Sequence, residues 1–138
     1  MPRSTLGAMT YHITRTLDLP YDTAGQRVKD ALAAEGFGVL TEIDVRATLK
    51  KKLDVDFPSY VILGACNPPL AHRALLTERD IGVLLPCNVA VYATGPSTTV
   101  VSAINPEDSI ARAGVPALAP VADEVKQRLS RALSAVGS

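Results

Sequence analysis

Two apolar segments joined by a turn constrain the fold more than any other feature of this chain. Residues 84–93 and 98–104 are rich in Val, Leu, Ile and Thr, and the residues between them include Gly95, Pro96 and Ser97. Strand-like segments joined by about three to five residues that contain glycine form antiparallel β-hairpins. Because this hairpin follows alternating helices and strands, the sequence argues against a purely parallel sheet.

Regular patterns before the hairpin predict two strands and the first helix. Residues 10–19 alternate between apolar and polar side chains, which predicts a strand with one buried face that Arg15 interrupts. The capping-box pattern that starts at Thr23 predicts the beginning of the first helix, and Gly36 suits the left-handed position that ends it. Residues 37–43 alternate again and predict a second strand with one apolar side.

The middle of the chain predicts two short helices around a strand. Asp44 suits the N-cap of a helix whose apolar positions are spaced four apart. The run 60–66 is nearly all apolar, which is typical of a central strand covered on both faces. Asn67 precedes two prolines, so it can cap a helix over residues 68–76. The apolar positions of the first short helix are Val45, Leu49 and Leu53.

The end of the chain predicts a last helix that begins at Pro120. The resulting order β-α-β-α-β-α-β-β-α, in a chain of 138 residues, indicates one α+β domain. We expect a mostly antiparallel sheet of about five strands, with the first and last helices packed on one face. Residues 1–8 are predicted to form a disordered leader and residues 9–138 the domain. The buried stripe predicted for the last helix is Val121, Val125, Leu129, Ala132, Leu133 and Val136.

The charge balance and the length of the apolar segments indicate whether the protein binds nucleic acid, crosses a membrane or is secreted. Lys plus Arg and Asp plus Glu are balanced at 14 each, and the only basic run, Lys50 to Lys52, is interpreted as a solvated helix face. Phosphate contacts need clustered basic charge, so we expect no binding to nucleic acid. No segment approaches the roughly 18 apolar residues of a membrane span, and the N-terminus has no signal-peptide pattern. The expectation is a cytoplasmic protein without membrane association, whose two cysteines are thiols.

The candidate site lies at two Cys-Asn pairs, each of which has proline alongside. Proline leaves backbone carbonyls unpaired, and asparagine supplies both donors and an acceptor, so such a place can hold a small polar ligand. The candidate ligand-binding residues are Cys66, Asn67, Pro68, His72, Cys87 and Asn88.

A purely structural interpretation competes with this one. Free cysteine is among the most buried residue types. In this interpretation Asn67 simply caps a helix, and Asn88 pairs with backbone at the start of a strand. His72 follows Cys66 at a distance of six residues, but zinc needs four ligands, or three and a water, so no metal site is predicted. Neither His72 nor His12 lies in a motif for the base that a catalytic thiol needs. Phosphate-binding glycine motifs are absent, and no cofactor is expected.

Residues 62–71, ILGACNPPLA, and residues 84–89, LLPCNV, are the most specific motifs of the chain. They resemble the DUF302 family, small bacterial and archaeal domains of unassigned function. The resemblance implies an α+β domain whose antiparallel sheet has one face covered by helices, and a tendency to form homodimers. It implies no reaction. The shorter matching segments are residues 43–45, 48–50 and 118–122.

Two hypotheses of function remain open. The first is a non-enzymatic homodimeric domain that binds a small polar ligand or a partner near the two Cys-Asn pairs. The second is a thiol-dependent enzyme or redox protein that uses Cys66 or Cys87, and it requires a depressed thiol pKa. Both place the site at one end of the sheet. Cys66 ends one strand and Cys87 begins the next, and these ends adjoin if the strands are antiparallel neighbours.

Overall fold

The computed structural model describes residues 11–137 and has the predicted order of elements. The predicted leader, residues 1–8, lies outside the described residues, as do residues 9–10 and 138. Short 3₁₀ turns connect α3 to β4 and β5 to α4. The helices and strands are β1 His12–Leu17, α1 Tyr21–Ala34, β2 Gly38–Asp44, α2 Val45–Leu53, β3 Tyr60–Cys66, α3 Pro68–Thr77, β4 Cys87–Gly95, β5 Thr98–Ile104 and α4 Ala119–Ala135.

The five strands form one sheet in the order β1-β5-β4-β3-β2, and every neighbouring pair is antiparallel. This arrangement confirms the predicted α+β class and the predicted hairpin, which consists of β4 and β5. It makes β4 the central strand. Among residues 11–137, no helix combines the length and the apolar character needed to cross a membrane.

The two faces of the sheet differ in what covers them. The helix-covered face packs against α1 and α4, and its aliphatic side chains are buried; they include Ile13, Leu17, Leu63, Val89, Val91 and Val101. The opposite side is called the open face here. Successive side chains of a strand point to opposite sides and paired residues share a side, so the register defines its members. They are His12, Thr14, Thr16, Gly38, Thr41, Ile43, Tyr60, Ile62, Gly64, Cys66, Asn88, Ala90, Tyr92, Val100, Ser102 and Ile104.

The prediction that residues 60–66 form a strand covered on both faces is wrong. Leu63 and Ala65 are buried on the helix-covered face, whereas Tyr60, Ile62 and Cys66 on the open face are only half-buried. The apolar run has a different cause. The open face carries uncharged and aromatic side chains, so β3 is apolar on both sides although helices cover only one.

The predicted start of the first helix is also wrong, because α1 begins at Tyr21 and Pro20 takes the N-cap position without a side-chain cap. The first intrahelical hydrogen bond runs from the N–H of Ala24 to the carbonyl of Pro20, at 2.9 Å. Tyr21 packs against the core, and this tertiary contact extends the helix before the local capping pattern at Thr23. Packing therefore overrides the local signal.

The predicted end of α1 is confirmed. Gly36 has a φ of +86°, and its N–H donates to the carbonyl of Ala33 at 3.0 Å. The N–H of Phe37 donates to the carbonyl of Leu32 at 2.9 Å, and both of these side chains are buried. These two hydrogen bonds are the pair that defines a Schellman motif.

At the β2 edge of the sheet, the predicted cap of α2 is confirmed and the predicted single apolar side of β2 is wrong. The carboxylate of Asp44 accepts a hydrogen bond from the N–H of Ala47 at 2.9 Å, as expected of an N-cap. However, no residue of α2 is buried, and Leu53 is 65% exposed. A β-bulge between Val39 and Thr41 adds a residue, so strand β2 changes face after it and its predicted single apolar side does not exist.

The cation that interrupts the first strand has a structural partner at the end of the chain. The Nη1 of Arg15 donates to the carbonyls of Leu133, Ser134 and Val136 at 2.6, 2.9 and 2.7 Å. Carbonyls in the last turn of a helix lack intrahelical donors, and a cation there also interacts favourably with the helix dipole. Arg15 therefore caps α4 and fastens it to β1.

We expect Arg15→Met to destabilise the protein by about 2 kcal/mol, because three charge-assisted hydrogen bonds are lost and the carbonyls lose their donor. Urea unfolding measures the change. The matched control is Arg79→Met, since Arg79 is exposed on the turn after α3, and it should change stability by less than about 0.5 kcal/mol. Equal effects of the two substitutions would show that the cap contributes nothing.

Candidate functional site

The register between β3 and β4 brings the two cysteines to the same end of the sheet. Ala65 lies directly opposite Cys87, and Cys66 is the next residue along β3. Both cysteines are free thiols. Because side chains alternate, Cys66 belongs to the open face and Cys87 to the helix-covered face, so the thiols approach the sheet end from opposite sides.

A cavity of about 20 Å³ lies at this end of the sheet and is called the thiol cavity here. Its polar members are Cys66, Asn67 and Cys87. Its apolar wall comes from several elements and includes the larger side chains Phe37, Leu70, Leu85, Ile110, Val121 and Val125. Since about 10–15 Å³ suffices for one water, the cavity admits one group of that size.

Asn67 is held by the ends of two helices. Its Oδ1 accepts a hydrogen bond from the N–H of Leu70 at 3.3 Å, which caps α3 as predicted. Its Nδ2 donates to the carbonyl of Glu35, the C-cap of α1, at 3.4 Å. A Cβ at Gly36 would lie 2.9 Å from this Nδ2, so glycine is needed there for space as well as for its positive φ. The amide is therefore fixed in one orientation, with its Nδ2 hydrogens only partly used.

The other candidate residues do not join the cavity. Pro68 is exposed at the start of α3, and His72 is exposed on the same helix; neither lines the cavity. Asn88 follows Cys87 but points to the open face, where it lines a separate groove. The structure thus brings together three of the six candidates, Cys66, Asn67 and Cys87. Among the described residues, no three His, Cys, Asp or Glu side chains converge to hold a metal ion.

Burial determines the acidity of both thiols. It raises the pKa of Cys87 to about 11, with a smaller contribution from the nearby Cys66. Burial also raises the pKa of Cys66 above its ordinary value. Desolvation disfavours a thiolate, and neither His12 nor His72 lines the cavity to counter it. Both cysteines are therefore thiols at neutral pH.

Sequence reasoning missed the wall residues that come from distant segments. Ile110 lies in a 3₁₀ turn, and Val121 and Val125 lie on α4. The stripe of α4 was predicted as buried, but nothing in its spacing indicates that it faces the cysteines. The nearest signal was Pro86, which precedes Cys87 and lines the cavity as well.

Comparison with known proteins finds similarity to a protein family and to a solved structure. The family model described as "Domain of unknown function DUF302" matches residues 13–136. A solved structure described as an uncharacterized conserved DUF302 protein from Bacillus stearothermophilus has 32% sequence identity and a TM-score of 0.84. The match covers 94% of this chain and 99% of that one. Among curated proteins, none matches.

The raised pKa of Cys87 predicts a loss of stability at alkaline pH. The thiol ionises near 9.0 in the unfolded chain but near 11 in the folded protein. Stabilisation by the buried neutral thiol is thus complete below about pH 9 and is lost as the pH rises to about 11. Urea unfolding of the wild type and of Cys87→Ala, both under reducing conditions, should give a stability difference that shrinks by about 2 kcal/mol between pH 8 and pH 11.

Tyrosines that titrate in the same range affect both proteins equally, so the difference isolates the thiol. Cys66→Ala is the control, because Cys66 is only half-buried and should show a smaller change. A difference that stays constant with pH would contradict the assignment.

Proposed function

The chain belongs to the DUF302 family, and on that premise we propose that it is a homodimeric, non-enzymatic binding module that takes a small polar ligand or partner at the thiol cavity. The observation that carries the proposal is the gathering of both thiols and the Asn67 amide around one cavity. Because the cavity admits about one water-sized group, the ligand inserts a single small polar group and keeps the rest of its body outside.

The thiol chemistry favours binding over the alternative of a thiol-dependent enzyme or redox protein. A nucleophilic or redox cysteine needs a thiolate near neutral pH and therefore a lowered pKa. Burial raises the pKa of both Cys66 and Cys87. A neutral buried thiol remains a weak donor that can contact a polar group of a ligand.

The proposal includes the cellular setting. The protein is cytoplasmic, its thiols stay reduced, and it has neither nucleic acid nor membrane as a partner. The balanced charge of the sequence supports this proposal, as does the lack of any Asp, Glu, Lys or Arg on the open face of the sheet. No cofactor is part of the proposed function.

The proposed dimer forms through an apolar patch at the β2 edge, called the edge patch here. Its side chains range from 38% exposed at Phe57 to 66% exposed at Leu40. A monomer seldom leaves several large apolar side chains of one region in water, and a subunit interface is a usual place for them. The members of the edge patch are Leu40, Ile43, Leu53, Val55 and Phe57.

Native mass spectrometry tests the ligand. Protein purified under mild conditions should carry a small-molecule adduct, and Ala71→Leu should remove it, because Ala71 is half-buried and lines the cavity. The control is Ala117→Leu, at an exposed position away from the cavity, and it should keep the adduct. A one-dimensional NMR spectrum establishes that both variants fold. Absence of any adduct, or its retention in Ala71→Leu, would refute binding in the cavity.

Light scattering tests the dimer. The wild type should have the mass of two chains at micromolar concentration, and Leu53→Asp should weaken association at least about tenfold, because it places a charge in an apolar interface. Val83→Asp is the control, since Val83 is 87% exposed but lies in the turn after α3, outside the edge patch. A monomeric wild type, or dissociation of both variants alike, counts against this interface.

A further inference from the structure

A groove of about 530 Å³ crosses the open face of the sheet. This volume lies within the range of roughly 300–1,000 Å³ that is usual for small-molecule sites. It shares no lining residue with the thiol cavity. The groove is called the tyrosine groove here, and the residues that matter for its chemistry are Tyr11, His12, Tyr60, Asn88, Tyr92 and Ser102.

The register arranges these side chains as a low floor between two raised sides. Ala90 lies opposite Ser102 on β5 and opposite Ile62 on β3, and the two small side chains form a floor that Ile62 borders. On one side, Tyr92 lies opposite Tyr60. On the other side stands Asn88, which precedes Ala90 by two residues, as Tyr92 follows it by two. Side chains two residues apart on a strand share a face and are about 7 Å apart. Asn88 and Tyr92 each lie one such step from Ala90, on opposite sides of it, so the floor between them has room for one ring.

Aromatic rings on this face are already arranged for stacking. The rings of Tyr60 and Tyr92 are stacked, with centroids 5.1 Å apart and an interplanar angle of 8°. Tyr11 lies against the ring of His12 at 4.6 Å. Stacked or tilted aromatic pairs contribute beyond simple burial, and a flat ring of a ligand obtains the same contribution.

The polar side chains of the groove are hydroxyls, an amide and the imidazole of His12. The Oγ of Ser102 is hydrogen-bonded to the Nδ1 of His12 at 3.0 Å and to the hydroxyl of Thr14 at 2.9 Å. The amide of Asn88 is exposed and offers both donors and an acceptor. No Asp, Glu, Lys or Arg belongs to the open face, so no carboxylate, ammonium or guanidinium group there can pair with a charged ligand.

We propose that the tyrosine groove binds a neutral, planar ring compound that stacks on the Tyr60–Tyr92 pair and forms hydrogen bonds with Asn88 and Ser102. This site is additional to the thiol cavity and does not depend on it. The three tyrosines select the flat ring, the amide and hydroxyl orient it, and a face without Asp, Glu, Lys or Arg favours a neutral molecule over an ionised one.

The tyrosines themselves report binding, because three of the four in the chain line the groove and Tyr21, on α1, does not. The experiment titrates benzamide into protein labelled with ¹³C in the tyrosine rings and follows the four ring signals by NMR. We expect saturable shifts at Tyr60 and Tyr92 and little change at Tyr21. The matched compound is cyclohexanecarboxamide, which has the same polar group but no aromatic face and should bind at least about fivefold more weakly.

Two variants test the named contacts. Tyr92→Leu keeps an apolar side chain but removes the ring, and it should weaken benzamide binding about tenfold, whereas Tyr21→Leu should leave binding unchanged. Asn88→Ala changes an exposed side chain and should not affect folding, so its expected loss of about fivefold in affinity tests the hydrogen bond even if Tyr92→Leu misfolds.

Three results would overturn the proposal. The first is a failure of benzamide to shift Tyr60 and Tyr92, or an equal shift at Tyr21. The second is equal affinity for the two carboxamides. The third is a change from dimer to monomer on Tyr92→Leu, measured by light scattering, because the open face would then be covered by a second copy of the chain. None of these results affects the mass adduct that tests the thiol cavity.

Discussion

The burial of one sheet face against α1 and α4 is the interaction on which the rest of the structure depends. Leu63, Val89, Val91 and Val101 are among the side chains that are completely buried there. Full burial of an aliphatic side chain contributes about 1.5–3 kcal/mol, so this layer offsets a substantial part of the conformational entropy that folding costs. Cys87 lies in the same layer, and its position explains why its thiol stays neutral.

Hydrogen bonds at the edge of this buried layer connect the end of α1 to the start of α3 and to α4. The carbonyl of Glu35, at the end of α1, accepts hydrogen bonds from Asn67 at 3.4 Å and from Arg128 at 3.1 Å. The end of α4 is fastened to β1 by Arg15 in a similar way. These polar contacts satisfy carbonyls that a helix cannot satisfy by itself, and they fix the helices relative to the sheet. The thiol cavity lies beside the first junction, and its lining includes residues of α3 and α4.

The sheet separates two kinds of chemistry. At its end, the thiol cavity is small and mostly apolar, with two neutral thiols and one fixed amide. On its open face, the tyrosine groove is larger and presents aromatic rings, a hydroxyl and an amide. The successive residues Cys87 and Asn88 belong to different sites because neighbouring side chains of a strand point to opposite faces. A sequence motif of adjacent residues in a strand therefore divides between the two faces of the sheet.

The sequence by itself determined the order of elements, the closing hairpin, the cap at Asn67 and the glycine that ends α1, because these features depend on local periodicity and turn chemistry. It also indicated that the two cysteines lie at one end of the sheet, since in antiparallel neighbours the end of one strand lies beside the start of the next. The capping pattern at Thr23 failed because packing of Tyr21 extends α1 toward its N-terminus.

Only the tertiary structure decided which side chains meet. The bulge in β2 reverses the facing of Ile43, and the partners of Arg15 lie 118 to 121 residues away. The pairing of Tyr60 with Tyr92 follows from the register of two strands, which hydrogen bonds between the strands set. Periodicity places a residue on a face of its own element, but it carries no information about which other element covers that face. For this reason the sequence placed Cys66 and Cys87 together, while the structure separated Asn88 from them and left one face of the sheet open.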